Sequence, residues 1–341
     1  MKKLLQYLLF LSLTAVLLYF AFKGVSWNDM LEGIKQANGW WIAASMAVGF
    51  AAFLIRARRW QFIIHPLGYR PSFKHTYDAV MLTYLANFAM PRMGEVVRCG
   101  ALRRTDKIPF ESLLGTVVME RAFDFVCLLV ISVSVLFLRF DTFRAFWTNV
   151  QAQQGAPADA ATPAGGYLLY VYTGVGLLVA IVGLLCIFRR RIRQWSLMSK
   201  VKKLWHGLLD GLKAGFRLQR RSAFFTYTIL LWVAYWLQAY TVMLAMPETL
   251  HLSAVDALFL MVVGGLGWVA PVNAGIGAYH FLIKCALLIY GVDNGVVFAT
   301  ISHETQSLMM IVFGLFSWMA VAVGSRSRQS AVKNVPGSPF N

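Results

Sequence analysis

Six long apolar runs alternate with short polar segments along the chain. They cover residues 4–22, 40–55, 111–138, 167–188, 224–246 and 296–323. About 20 apolar residues in a helix cross the hydrocarbon core of a bilayer, so these runs predict membrane-spanning helices. Between the first two runs, residues 27–38 place apolar and charged side chains at helical spacing. That pattern predicts an amphipathic helix on the membrane surface.

Two further apolar stretches are too short to cross and are interrupted by proline and glycine. One comprises residues 76–104 and the other residues 257–290. About 15 helical residues extend roughly 22 Å, which is short of a 30 Å core. Lys and Arg flank the first stretch at both ends but not the second, and these residues favour the cytoplasmic side. We therefore predict two re-entrant hairpins, one from the cytoplasm that turns between Pro91 and Gly94, and one from the outside.

The predicted fold class is an all-α polytopic integral membrane protein with about six full spans plus two re-entrant hairpins. Each half contains a span, a hairpin and a span, and one connecting span inverts the second half. Inverted repeats with broken helices are typical of transporters. The predicted segments are N-terminal helices at 1–38, a first repeat at 39–140, a linking region at 141–221, a second repeat at 222–324 and a disordered tail at 325–341.

Composition supports a membrane protein and excludes most other classes. The 341 residues are 58% hydrophobic and only 14% charged, whereas soluble domains carry about 25% charged residues. The net charge of +17 is expected from cytoplasmic loops that attract anionic lipid, and no nucleic-acid-reading module accompanies it. The four cysteines and six histidines show no disulfide or metal-ligand spacing, so we predict neither a metal nor a cofactor.

The first hairpin carries charges at a depth where each costs roughly 2.5–3.5 kcal/mol. Helix breaks are tolerated there only in a protein-lined or wet cavity. Arg92 and Arg98 are candidates for binding a lipid phosphate, because a guanidinium fork matches phosphate oxygens. The alternative is that they pair with Glu95, Glu120 or Asp124 and hold the hairpin together.

Glu120 and Asp124 lie four residues apart and therefore share one face of a span. Two carboxylates this close repel each other, so a cation is expected beside them. Arg92, Arg98 and Arg121 are the candidates. A switch or proton-binding role is the alternative, because a buried carboxylate without a partner binds a proton more readily.

The second hairpin and the last span carry further polar candidates. His280 and Lys284 lie four residues apart on the return helix, and Asn273 lies in the turn. Lys284 at membrane depth requires a phosphate or a carboxylate, which predicts a position in the cavity. His303 and Glu304 either line the same cavity or form hydrogen bonds between helices.

Four segments form a characteristic set: Arg56–Trp60, Asn87–Arg98 (NFAMPRMGEVVR), Thr116–Asp124 (TVVMERAFD) and Pro271–Ala278 (PVNAGIGA). Together they resemble the transmembrane region of the lysylphosphatidylglycerol synthases, also called the flippase-like or UPF0104 family. The resemblance covers nearly the whole chain, with the segments in the same order. It implies a lipid-translocating domain in a bacterial cytoplasmic (inner) membrane. The positions of Lys and Arg predict that both termini lie in the cytoplasm.

The synthases of this family carry an added soluble acyltransferase-like domain, and the short segment after Val323 cannot hold one. We therefore expect no aminoacyl transfer. The expected function is the movement of an anionic or aminoacylated phospholipid, or a polyprenyl-phosphate-linked lipid, between leaflets. The alternatives are a membrane-embedded lipid-modifying transferase and an accessory scaffold that transports nothing. Expected partners are membrane phospholipids, with a homo-oligomer and a separate lipid-modifying enzyme left open.

The candidate site residues fall into three groups, and none is predicted to be catalytic. Candidates for lipid-phosphate binding are Arg58, Arg59, Arg92, Arg98 and Lys284. Candidates for a polar cavity or switch are Asn87, Glu95, Glu120, Arg121, Asp124, Asn273, His280, His303 and Glu304. Candidates for hairpin hinges are Pro91, Gly94, Pro271, Gly275 and Gly277.

Overall fold

The computed structural model describes residues 12, 14–90, 92–142, 145, 218–270 and 272–333, with side chains described as far as residue 323. All regular secondary structure in these ranges is helical. The predicted span at 167–188, most of the linking region and the hinges Pro91 and Pro271 lie outside the described residues.

Nine helices form the described part after a short N-terminal helical segment at residues 14–22. They are α1 (Trp27–Gln36), α2 (Gly39–Ile64), α3 (Phe73–Ala89), α4 (Gly94–Asp106), α5 (Phe110–Leu138), α6 (Arg221–Ala245), α7 (Ala254–Val269), α8 (Ala278–Leu288) and α9 (Gly295–Lys333).

Four of these helices are long and apolar enough to cross a membrane. The candidate spans are Gly39–Leu67, which is α2 with the short 3-10 turn after it, Phe110–Leu138, Arg221–Ala245 and Gly295–Val323. Their outer faces expose large apolar side chains, such as Phe137 at 82%, which is the surface that lipid requires. Four of the six predicted spans are thus confirmed as candidate spans.

Two predicted helix ends are wrong. The Arg56–Trp60 segment was predicted to end the second span, but α2 continues to Ile64 and buries Arg56 and Arg59. Arginines can remain inside the protein here because carboxylates of α5 neutralise them, as described below. The tail from residue 325 was predicted to be disordered, but α9 extends to Lys333. The sequence from Gly295 to Val335 contains no proline that would stop this helix.

Helices α3 and α4 form the first helical hairpin. They run antiparallel, because His75 near the start of α3 lies 3.0 Å from Asp106 at the end of α4, while Gly94 packs on Thr83 near the turn. The side chain of Asn87 closes the turn by accepting a hydrogen bond from Gly94 N at 2.8 Å. With 17 and 13 residues, the helices extend only about 25 Å and 20 Å.

Helices α7 and α8 form the second helical hairpin. A Cβ at Gly267 would lie 2.6 Å from Tyr279 Cα at the closed end, so glycine permits the two backbones to touch there. At the open end Asp256 accepts a hydrogen bond from the Tyr290 hydroxyl at 2.8 Å. Asp256 also lies 3.2 Å from Arg139, directly after α5, and this contact fixes the open end against the rest of the bundle.

The two hairpins point at each other from opposite ends of the bundle. The first hairpin opens beside the start of α5, whereas the second opens beside Arg139 at the other end of that helix. Their turns touch: Asn273 Nδ2 donates to the Phe88 carbonyl at 3.4 Å, and Arg92 Nη2 donates to the Val269 carbonyl at 3.4 Å. The second turn is largely buried, whereas Met90, Arg92 and Met93 of the first turn are exposed.

Candidate functional site

Helix α5 presents two carboxylates to the interior of the bundle. Glu120 and Asp124 occupy the same helix face, and their side chains are 0% and 14% exposed. A buried carboxylate without a counter-charge costs several kcal/mol. The surrounding helices therefore have to supply cations, as the sequence predicts.

Glu120 is held by three arginines from two other helices. Arg98 of α4 reaches Oε2 at 2.9 Å, and Arg59 of α2 reaches Oε1 at 3.2 Å. Arg56, one turn earlier on α2, lies 3.6 Å from Oε1. The predicted partner Arg98 is confirmed, and Arg56 and Arg59 are additional partners.

Asp124 extends this network along α5. Its closest partner is Arg59, at 2.7 Å, followed by Arg56 at 3.5 Å and Arg121 at 3.8 Å. Arg121 also lies 3.5 Å from Glu95 on α4. The predicted cation Arg121 is thus present, and it links the first hairpin to the spanning helix.

We call this group the arginine–carboxylate cluster. Its members are Arg56, Arg59, Arg98, Arg121, Glu95, Glu120 and Asp124. Four guanidinium groups face three carboxylates, which leaves one net positive charge. Arg98 is 1% exposed, yet its Nε and Nη2 have no hydrogen-bond partner among the described protein groups. The cluster therefore combines surplus charge with unused donors, and this combination favours an anionic ligand.

Neutral side chains hold the arginines in place. The Trp60 ring lies 4.5 Å beneath the Arg98 guanidinium, and its Nε1 donates to Thr116 Oγ1 at 2.8 Å. A cation–π contact of this kind adds about 0.5–2 kcal/mol. Arg56 Nη2 donates to the Tyr235 hydroxyl at 2.9 Å. Helix α6, which carries Tyr235, is thereby joined to the cluster.

Two predicted phosphate-binding arginines lie away from the cluster. Arg92 is exposed at the first turn, where it adopts a left-handed φ of 63° and contacts the second hairpin. Arg58 donates to Gln61 at 2.7 Å. Arg58 also lines a separate cavity of about 370 Å³, together with Leu54, Ile55, Phe73 and Tyr227.

Arg56 is the cluster member that sequence reasoning did not select. The sequence does indicate a role for Arg56, because Arg56 and Arg59 are three residues apart and share a helix face if the helix continues. The prediction that the span ends at this segment left that shared face out of account.

Lys284 has a different role from the one its sequence context predicts. Its ammonium group donates to the carbonyl oxygens of Ala21 and Lys23 at 2.9 and 3.0 Å. These carbonyls lie at the end of the N-terminal helical segment, where backbone acceptors otherwise lack partners. Backbone carbonyls, not the expected phosphate or carboxylate, satisfy this buried amine. Its binding of lipid phosphate stays a prediction.

A second polar group forms where the second hairpin meets α9. His303 Nδ1 and His280 Nε2 lie 3.0 and 3.8 Å from Glu304 Oε1. His303 Nε2 lies 3.0 Å from the Ala274 carbonyl in the turn. Gly275 and Gly277 adopt φ of 78° and 83°, conformations that glycine tolerates without strain. His303 thus joins α9 to the turn of the second hairpin.

Fold and site together define a multi-pass helical membrane protein with two opposed hairpins and a buried ionic cluster. Residues 4–323 match the family described as the lysylphosphatidylglycerol synthase TM region, and the chain belongs to this family. The resemblance drawn from the four sequence segments is confirmed.

Three relatives have been compared with the chain. The glycosyltransferase AglD of Haloferax volcanii is 23% identical over 87% of this chain and 51% of its own length. A UPF0104 membrane protein of Methanocaldococcus jannaschii is 28% identical over 34% of this chain and 35% of its own. A UPF0104 membrane protein of Methanothermobacter thermautotrophicus is 23% identical over 55% of this chain and 52% of its own length. The matches span about half or less of each relative.

Proposed function

We propose that this protein moves an anionic lipid between the two leaflets of a membrane. The cargo is an anionic or aminoacylated phospholipid or a polyprenyl-phosphate-linked lipid, whose phosphate binds at the arginine–carboxylate cluster. The observation that carries the proposal is the buried Arg98 guanidinium, which has two nitrogens unused by protein acceptors in the described structure.

A phosphate suits the cluster for electrostatic and geometric reasons. The cluster has one net positive charge, and arginine binds phosphate through paired N–H donors. Glu120 and Asp124 keep the arginines neutralised when no lipid is bound. A lipid phosphate that binds the unused Arg98 donors then neutralises the one net positive charge, and the carboxylates keep their arginine partners.

The opposed hairpins supply a route for alternating access. Inverted repeats with broken helices open to one side or the other by motion of one repeat against its partner. The two contacts between the turns are long, at 3.4 Å each, whereas the ion pairs that hold the first hairpin to α5 reach 2.9 Å. The interface between the turns is therefore the weaker contact, and it is where we place the opening.

Charge distribution sets the orientation that we propose. Arg70, Lys74, Arg103, Lys107 and Arg220 cluster around the open end of the first hairpin. The open end of the second hairpin carries Glu248, Asp256 and Asp293, and its one cation among these residues, Arg139, is paired with Asp256. Because Lys and Arg favour the cytoplasmic side, the first hairpin enters from the cytoplasm and both chain termini lie there. The bacterial inner membrane stays a prediction, since the relatives include archaeal proteins.

Leaflet exchange in vesicles reconstituted with the full chain tests this function. We expect the wild type to move labelled phosphatidylglycerol between leaflets. Arg98→Gln should slow exchange about tenfold or more, because hydrogen bonds to a charged group contribute about 1.5–3 kcal/mol. Glu120 keeps Arg56 and Arg59 as partners in this variant, so folding should survive and can be checked by gel filtration.

The control for this assay is Arg103→Gln, which removes an exposed arginine from the same helix, α4. Its exchange rate should remain within about twofold of wild type, since exposed charges contribute little. The proposal is wrong if the wild type moves no lipid across a broad panel of headgroups. It is also wrong if folded Arg98→Gln exchanges lipid as fast as wild type.

The name of one relative supports a second candidate function, that of a membrane-embedded transferase. The glycosyltransferase AglD aligns with 87% of this chain but with only 51% of its own length. If the shared part catalysed group transfer, expression of this chain would produce a new lipid species. Mass spectrometry of total lipid distinguishes a transferase from a transporter, because translocation changes the leaflet of a lipid and not its mass.

A further inference from the structure

We propose that His280, His303 and Glu304 form a binding site for a divalent transition-metal ion, with zinc as the best fit. The three side chains come from α8 and α9 and meet beside the turn of the second hairpin. One donor atom from each lies within 4.8 Å of the others. The site is separate from the arginine–carboxylate cluster, and the inference does not depend on lipid transport.

The distances approach those of a bound ion. Zinc bonds of about 2.0–2.1 Å in a tetrahedral arrangement separate two ligand atoms by about 3.4 Å. Glu304 Oε1 lies 3.0 Å from His303 Nδ1 and 3.8 Å from His280 Nε2. Side-chain shifts of about 1 Å or less would therefore bring three ligands onto one ion.

The surroundings of His303 are those of a metal ligand. A ligating histidine usually donates its second N–H to a backbone carbonyl or a carboxylate, and His303 Nε2 lies 3.0 Å from the Ala274 carbonyl. That hydrogen bond leaves the Nδ1 lone pair directed towards Glu304. Trp268 stacks on the ring at 4.8 Å and fixes its plane. The Ser307 hydroxyl, 3.2 Å from Nδ1, is the competing partner that an ion would displace.

Glu304 faces two imidazole rings, and the ion pairs that the structure describes give it no lysine or arginine. His280 is 2% exposed, and its Nε2, which lies 3.8 Å from Glu304 Oε1, is the nitrogen that an ion would bind. The Glu304 side chain is 54% exposed on a helix that is long enough to cross a membrane. A carboxylate at such a depth is costly unless a cation neutralises it, and a bound metal ion would supply that cation.

The ligand types narrow the choice of ion. Two imidazoles and one carboxylate suit zinc and similar transition metals, whereas magnesium and calcium require mostly oxygen ligands. The sequence predicted no metal because His280 and His303 are 23 positions apart and match no known spacing. Packing of α8 against α9 creates the site, so spacing alone could not reveal it.

Metal titration of the purified full chain, with affinity tags removed and chelator-stripped, tests the site. We expect isothermal titration with zinc, and cobalt absorption spectra, to report about one ion per chain in a tetrahedral environment. His280→Gln and Glu304→Gln should each weaken binding about tenfold or more. Zinc should also raise the melting temperature of wild type, and it should raise that of the variants less.

The matched control is His75→Gln, since His75 pairs with Asp106 at the far end of the first hairpin. It should bind zinc as wild type does. The site is refuted if folded wild type binds no zinc or cobalt, or if His280→Gln and Glu304→Gln bind as tightly as wild type. Equal loss in His75→Gln would also refute it, because binding would then come from scattered histidines. A proton shared between His303 and Glu304 would then explain their short contact.

Discussion

Replacing Glu120 with alanine is expected to lower the free energy of unfolding by about 3–5 kcal/mol, the cost of removing one partner from a buried ion pair. Glu120 is the closest carboxylate to Arg98, which is 1% exposed, and it also neutralises Arg59, which is 0% exposed. Without it, Arg98 loses the carboxylate that pairs with it, and Asp124 is left to neutralise both Arg56 and Arg59. Denaturant or thermal unfolding in detergent measures the loss.

Glu111→Ala is the matched control, because Glu111 is an exposed carboxylate in the first turn of the same helix. Its removal should change stability by about 0.5 kcal/mol or less. Equal stabilities of Glu120→Ala and Glu111→Ala would contradict the buried ionic cluster. Glu120→Gln should fall between wild type and Glu120→Ala, since it retains hydrogen bonding and side-chain volume but loses the charge.

Gly94→Ala is expected to separate α3 from α4 and to destabilise the first hairpin by about 1–3 kcal/mol, the usual cost of overpacking. A Cβ at this position would overlap the Thr83 backbone oxygen and approach Asn87 Oδ1 to 2.8 Å. A backbone oxygen cannot rotate away as a flexible side chain can. The same unfolding measurement, together with proteolysis of the turn, reports the effect.

The same helix offers a glycine with the opposite expectation. A Cβ at Gly100 meets no atom within 4 Å, so Gly100→Ala should be neutral or stabilise α4 by up to about 1 kcal/mol through helix propensity. If Gly94→Ala proved as stable as Gly100→Ala, the close packing of the two hairpin helices would be wrong.

The apolar pattern predicted the long helices because burial in lipid depends on local composition. Short length and helix breakers predicted a turn between Pro91 and Gly94 and another between Ala270 and Ala278, and the described helices end and begin around both segments. The pairing of Arg98 with Glu120 was also predictable, since a charge buried in a membrane protein requires an opposite charge.

Contacts between distant parts of the chain could not be predicted in this way. Lys284 caps carbonyls about 260 positions earlier in the chain, and no sequence spacing signals such a contact. The role of Arg56 depended on whether α2 continued past Ile55, and that depends on the carboxylates of α5. The approach of His280 to His303 likewise depends on how α8 packs on α9.

The proposed function requires two hairpins that enter the membrane from opposite faces and meet inside it. Single cysteines at their open ends test this most directly, in a chain whose four native cysteines are replaced by serine. Lys74, with a side chain 70% exposed, marks the first hairpin, and exposed Asp293 marks the second. In sealed right-side-out vesicles, a membrane-impermeant thiol reagent should label Asp293→Cys but not Lys74→Cys, and inside-out vesicles should show the reverse. Labelling of both positions from the same side would contradict the account.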